Sequence, residues 1–62
     1  MYMTERFSVM IVDDEENVRN LLKNCIDWSS LGICIAAEAG TAEEAFEKLT
    51  HMAPPTIICA DI

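Results

Sequence analysis

Only two glycines and two prolines interrupt this 62-residue chain, and 52% of it is hydrophobic, a composition that excludes disorder for want of apolar material. Basic residues are nearly as scarce. Arg6, Arg19, Lys23 and Lys48 form no run, and against eleven acids they leave a formal net charge of −7. Phosphate binding needs clustered Lys and Arg, so nucleic acid is excluded as a direct partner of this segment. The three cysteines, Cys25, Cys34 and Cys59, have neither metal-ligand spacing nor an even count. Each lies in an apolar stretch, as expected of reduced core thiols in a cytosolic protein. The opening residues M-Y-M-T-E-R-F contain no apolar run of signal-peptide length, and nothing approaches the roughly 20 residues needed to span a bilayer. The expectation is a soluble cytoplasmic protein with no membrane partner.

A chain of this length forms one small domain at most, and folding removes only about 60% of its unfolded surface from water, which leaves its stability marginal. Residues 1–6 read as a tail and 7–62 as the structured part. From Phe7 to Val12 the chain carries the unbroken apolar run V-M-I-V, the pattern of a strand covered on both faces in a parallel sheet. From Glu15 onward Val18, Leu21, Leu22, Cys25 and Ile26 fall on one helical stripe, and acids at its first turn suit the positive end of the helix dipole.

The segment D-W-S-S-L-G breaks that pattern at Gly32, and a second strand is expected over Ile33 to Ala37. Glu38-Ala39-Gly40 then reads as a connector. Thr41 and Glu44 have capping-box spacing ahead of a stripe made by Ala42, Ala45, Phe46, Leu49 and Met52. Pro54-Pro55 ends that helix. Thr56 to Ala60 forms a third apolar strand running into Asp61. Alternation of this kind predicts an α/β fold, β-α-β-α-β, with a parallel sheet and right-handed crossovers.

In open parallel sheets functional groups gather beyond the carboxyl ends of the strands, where the strand order reverses. Asp13 and Asp14 leave the first strand at that edge and Asp61 leaves the third. With a spatial order of 2-1-3 their carboxylates converge, and such a cluster needs a proton or a cation. Oxygen ligands with no His or Cys nearby point to a hard ion, Mg²⁺ above all.

The succession V-M-I-V-D-D-E-E-N-V-R-N-L-L, a capped second helix, A-P-P and I-I-C-A-D-I resembles the N-terminal half of response-regulator receiver domains of two-component signalling. The likeness covers essentially all of the chain after residue 6. It implies a truncated flavodoxin-like fold, Asp61 as phosphoacceptor, and Asp13 and Asp14 as the acidic pair that holds Mg²⁺ with it. A sensor histidine kinase is the implied phosphodonor, and the domain is a phosphoacceptor rather than an enzyme. The stretch I-D-W-S-S-L-G-I is similar to a subgroup whose members carry a C-terminal helix-turn-helix region of the arabinose-regulator type. DNA would then be reached only through that absent domain, in transcription control.

Receivers are about twice this long. The other half of the family's domain supplies two more strands, a switch Ser or Thr, a Lys that pairs with the phosphoryl group, and a carbonyl ligand two positions beyond the phosphoacceptor. The chain therefore reads as a receiver fragment, weak in Mg²⁺ binding and phosphoryl transfer when alone. Its third strand is expected to form an open sheet edge through which two copies associate.

Plainer readings stand beside these. Asp13, Asp14, Glu15 and Glu16 also suit a helix N-terminus, with Asp14 as the cap. His51, Lys23 and Lys48 read as solvated helix positions, and Trp28 as a lid over the end of the first helix. From other classes come a hydrolytic phosphotransferase with a strand-end Asp nucleophile and a structural interaction module without phosphorylation. The first uses a D-x-D pattern after strand one, where this chain has D-D-E-E.

Overall fold

A computed structural model describes residues 6–61. The V-M-I-V run forms the middle of β1, Phe7–Asp13, which is buried from Val9 through Asp13 because it is the central strand. β2 (Ile33–Ala39) lies on one side of it and β3 (Ile57–Asp61) on the other, both parallel to β1, giving the order 2-1-3. This is the first three-strand part of the flavodoxin-like order. α1 spans Glu16–Cys25 and α2 spans Ala42–Thr50.

The helices cover opposite faces of the sheet. Met10 and Val12 point to one face and pack with Ala39 and Ala45, so this core lies under α2. Val9, Ile11 and Asp13 point the other way, toward α1, which packs on β1. A β-bulge adjusts β2 to this arrangement: Val9 pairs with Ile35 but Met10 pairs with Ala37, leaving Ala36 without a partner. The extra residue reverses the alternation, so Ala37 and Ala39 turn to the α2 side while Glu38, opposite Ile11, turns toward α1.

β2 continues through Glu38 and Ala39, which were expected in the connector. The ladder to Ile11 and Val12 overrides the weak strand propensity of Glu and Ala. α1 stops at Cys25, and Ile26 is extended. Trp28 covers this end as expected, its Nε1 donating to the Leu22 carbonyl at 3.2 Å. The chain then makes a short 3-10 turn at Ser29–Leu31 and exits through Gly32 at φ 75°, a left-handed conformation that glycine adopts without penalty. The Gly32 carbonyl accepts from the Arg6 and Phe7 amides, so Arg6, counted with the tail, is tied to the sheet. The rest of that expected tail lies outside the described residues.

Four buried-stripe expectations are corrected: Leu21, Cys25, Ala42 and Phe46 are all exposed, Leu21 at 60% and Phe46 at 69%. In α2, Ala45 and Leu49 turn toward the sheet, whereas Phe46 stands to one side and borders an apolar groove with Ile58 of the outer strand. The cysteines are free, but Cys25 and Cys59 are exposed and only Cys34 is half-buried, so they are not core thiols. β3 begins at Ile57, with Thr56 just before it. Ser8 and Thr56 staple its entry: the Thr56 amide donates to the Ser8 carbonyl at 3.0 Å, and the Ser8 amide donates to Thr56 Oγ1 at 3.2 Å.

Candidate functional site at the carboxyl rim of the sheet

Parallel pairing carries β1 and β3 to the same edge, where Asp13 is the direct ladder partner of Asp61. Neighbouring strands run about 4.8 Å apart, and partners in register project to the same face, so the two carboxylates share the α1 side of the rim. Asp13 belongs to β1 and is buried at 5% exposure, the one buried charged residue among those described. Asp61 is exposed and belongs to β3. Asp14 follows on the bend after β1 and is exposed.

Capping of α1 differs from the plain expectation. The N-cap position is Glu15, which makes no side-chain cap bond. Asp13, rather than Asp14, reaches forward, its Oδ1 accepting from the Glu15 amide at 2.9 Å. One oxygen of this carboxylate is thus committed to the loop entering α1, which fixes its orientation beside Asp61.

A network of charged groups not expected from the sequence supports the rim. Arg19 donates from Nε to Glu38 Oε1 at 2.8 Å and from NH1 to the Asp13 carbonyl at 2.6 Å. Lys23 donates to the other Glu38 oxygen. Lys48 donates to the Glu38 carbonyl and stands 3.3 Å from Glu44 Oε2. Lys23 and Lys48 are therefore not simply solvated: Glu38 draws one from each helix. The Lys23 and Arg19 hydrogen bonds hold the Glu38 carboxyl below the ordinary glutamate value of 4.5.

At the start of α2, Thr41 Oγ1 accepts from the Glu44 amide at 3.1 Å, as a capping box requires. Glu44 reaches one residue further back than expected and accepts from the Gly40 amide at 2.8 Å. That bond, then Lys48, lowers its pKa. His51 is the exposed C-cap residue of α2, its amide donating to the Lys48 carbonyl.

The donors at the rim are hard carboxylate oxygens, the class that magnesium accepts. Among the described residues no three His, Cys, Asp or Glu side chains gather into a group that could hold a metal ion. Magnesium keeps several of its waters and is commonly bound through one or two carboxylates, and Asp13 and Asp61 are two carboxylates at partnered positions. Among the described residues no helix is long and apolar enough to cross a membrane.

No protein-family model matches the chain, and no solved structure matches it significantly. Over 52 residues, 84% of its length, the chain is 31% identical to the uncharacterized transcriptional regulatory protein YesN of Bacillus subtilis (strain 168). It spans 14% of that protein. A paired-aspartate rim on a 2-1-3 parallel sheet thus occurs in a chain similar to one segment of a much longer regulatory protein.

Proposed function

We propose that these residues form the phosphoacceptor part of a response-regulator receiver, in which Asp61 takes a phosphoryl group from a sensor histidine kinase in the cytoplasm. The observation that carries this reading is the register pairing of Asp13 with Asp61 at the carboxyl rim of the sheet. The likeness to a regulatory protein supports it. Asp61 is the exposed member of the pair and so the one open to a donor, while Asp13 is buried and held by the Glu15 amide.

A carboxylate oxygen of Asp61 forms the new bond to phosphorus as the phosphorus–nitrogen bond of the phosphohistidine breaks, and the departing imidazole takes up a proton. Asp13 and Asp61 would hold Mg²⁺, with Asp14 next to them on the bend after β1, and the ion when bound would supply the positive charge that offsets the incoming phosphoryl group. Asp13 and Asp14 stay unmodified, and the apolar strands behind them keep the two ends of the rim in register. The added charge on Asp61 then biases a two-state element elsewhere in the longer protein. The role is that of a phosphoacceptor, not a turnover enzyme, and transcription would be controlled through a separate helix-turn-helix domain that meets DNA.

Association of two copies of this 62-residue chain along the free edge of β3 is a separate proposal from the receiver role in a longer protein. All five β3 residues are exposed, and among the described residues only β1 pairs with this strand. Sedimentation at high concentration tests this, and a folded monomer throughout would oppose it.

The functional reading is tested by treating the intact longer protein with a small phosphodonor and Mg²⁺. One acid-stable, base-labile adduct, lost in Asp61→Asn, is expected. Continuous release of phosphate would favour a phosphohydrolase, and no adduct at all would favour a structural module.

A further inference from the structure

Arg19 sits where three chain segments converge. Its guanidinium bridges the last carbonyl of β1, at Asp13, and the carboxylate of Glu38 near the end of β2, and its side chain is only 16% exposed. Gly40, just before α2, is the third segment: a Cβ there would be in ordinary contact with both groups, 3.4 Å from Arg19 NH1 and 4.0 Å from the Asp13 carbonyl oxygen. A planar guanidinium presents donors in fixed directions, so one side chain serves both acceptors at once, which a single ammonium on a flexible stem does less well.

The carbonyl that Arg19 holds belongs to the peptide joining Asp13 to Asp14. The plane of that peptide sets the direction in which the chain leaves β1, and with it the placement of both carboxylates relative to Asp61. We infer that Arg19 is the positioning residue of the acidic rim, acting through the Asp13 carbonyl and itself oriented by Glu38. The use of this device rests on the receiver reading; the device itself is a matter of backbone geometry.

Lys23 provides an internal control, since it binds the other Glu38 oxygen and is not a partner of Asp13. If Arg19 only added ion-pair stability, removing Arg19 or Lys23 would disturb the rim in proportion to the stability each loses. If Arg19 positions the rim, their effects separate.

The experiment compares Arg19→Gln, Arg19→Lys and Lys23→Gln with the parent chain. Two readouts are taken: hydrogen exchange of the Glu15 amide, which donates to Asp13 Oδ1, and Mn²⁺ broadening of the Asp13, Asp14 and Asp61 amide signals. In Arg19→Gln, Glu15 exchange accelerates beyond what the global stability loss explains, and Mn²⁺ binding at the rim weakens on the order of tenfold, the usual scale for loss of a group that orients a ligand. Arg19→Lys recovers folding but not the slow exchange, and Lys23→Gln leaves both readouts unchanged. Equal effects of Arg19→Gln and Lys23→Gln, or unchanged Glu15 exchange in Arg19→Gln, overturn the inference. Absence of Mn²⁺ broadening in the parent chain would strike the metal-binding reading alone, because Glu15 exchange still decides the role of Arg19. Should Arg19→Gln fail to fold, Arg19→Lys carries the same comparison with Lys23→Gln.

Discussion

Asp13 and Asp61 face each other across the β1–β3 ladder although 48 positions separate them in the chain. Two like charges at partnered positions destabilise a sheet unless something neutralises them. Without divalent ions, Asp61→Asn should therefore stabilise the fold by about 0.5 kcal/mol at low ionic strength and by less at high salt. Urea unfolding at two salt concentrations measures this.

Glu38 gives the fold a pH dependence whose direction follows from its partners. Its folded pKa is lowered below 4.5 by Lys23 and Arg19, so the stability it contributes is complete above the unfolded value and is lost as pH falls through the lower folded value. Thermal melts of the parent chain should show this loss in the acid range below pH 4.5, superimposed on the titration of the other carboxylates. The Glu38→Gln chain should lose that component, so the two melting curves converge as the pH drops.

Met10 and Phe46 should respond very differently to truncation. Met10 has 0% exposure at the centre of the core, and Met10→Ala should cost about 2–5 kcal/mol, enough to unfold so small a domain. Phe46 is 69% exposed, and Phe46→Ala should change stability by no more than about 0.5 kcal/mol. Denaturant titration of each variant, read by circular dichroism, separates them.

Thr41 is the side-chain cap of α2, and Thr41→Ala should cost about 1 kcal/mol, whereas Thr41→Ser should cost little. Denaturation midpoints at constant slope supply the comparison.

The strands, their order and the two helices are legible in the sequence because apolar runs and helical stripes alternate without interruption. The ladder partnership of Asp13 and Asp61 follows from that alternation together with the parallel register. The end of β2 is harder to read. Its bulge at Ala36 breaks the two-residue period just where Glu38 must turn toward α1, so a strand reads as a connector. The same feature hides the ion pairs: Arg19 and Lys23 precede Glu38 by 19 and 15 residues, and no local spacing rule relates them. Phe46 shows the limit of reading a helical stripe alone. Its position is apolar, but how deeply it is buried depends on the strand it faces, and that strand, β3, is one of the two edge strands among the described residues.

The most direct test of a shared acidic rim is a Mn²⁺ titration followed by amide signal broadening in the parent chain and in Asp61→Asn. The account predicts that Asp13, Asp14 and Asp61 broaden first and together, that Mg²⁺ reverses the effect by competition, and that Asp61→Asn weakens it at all three positions. Broadening centred on other residues, such as the exposed acids of α1 or α2, or broadening at Asp13 and Asp14 that ignores the loss of the Asp61 charge, would contradict it.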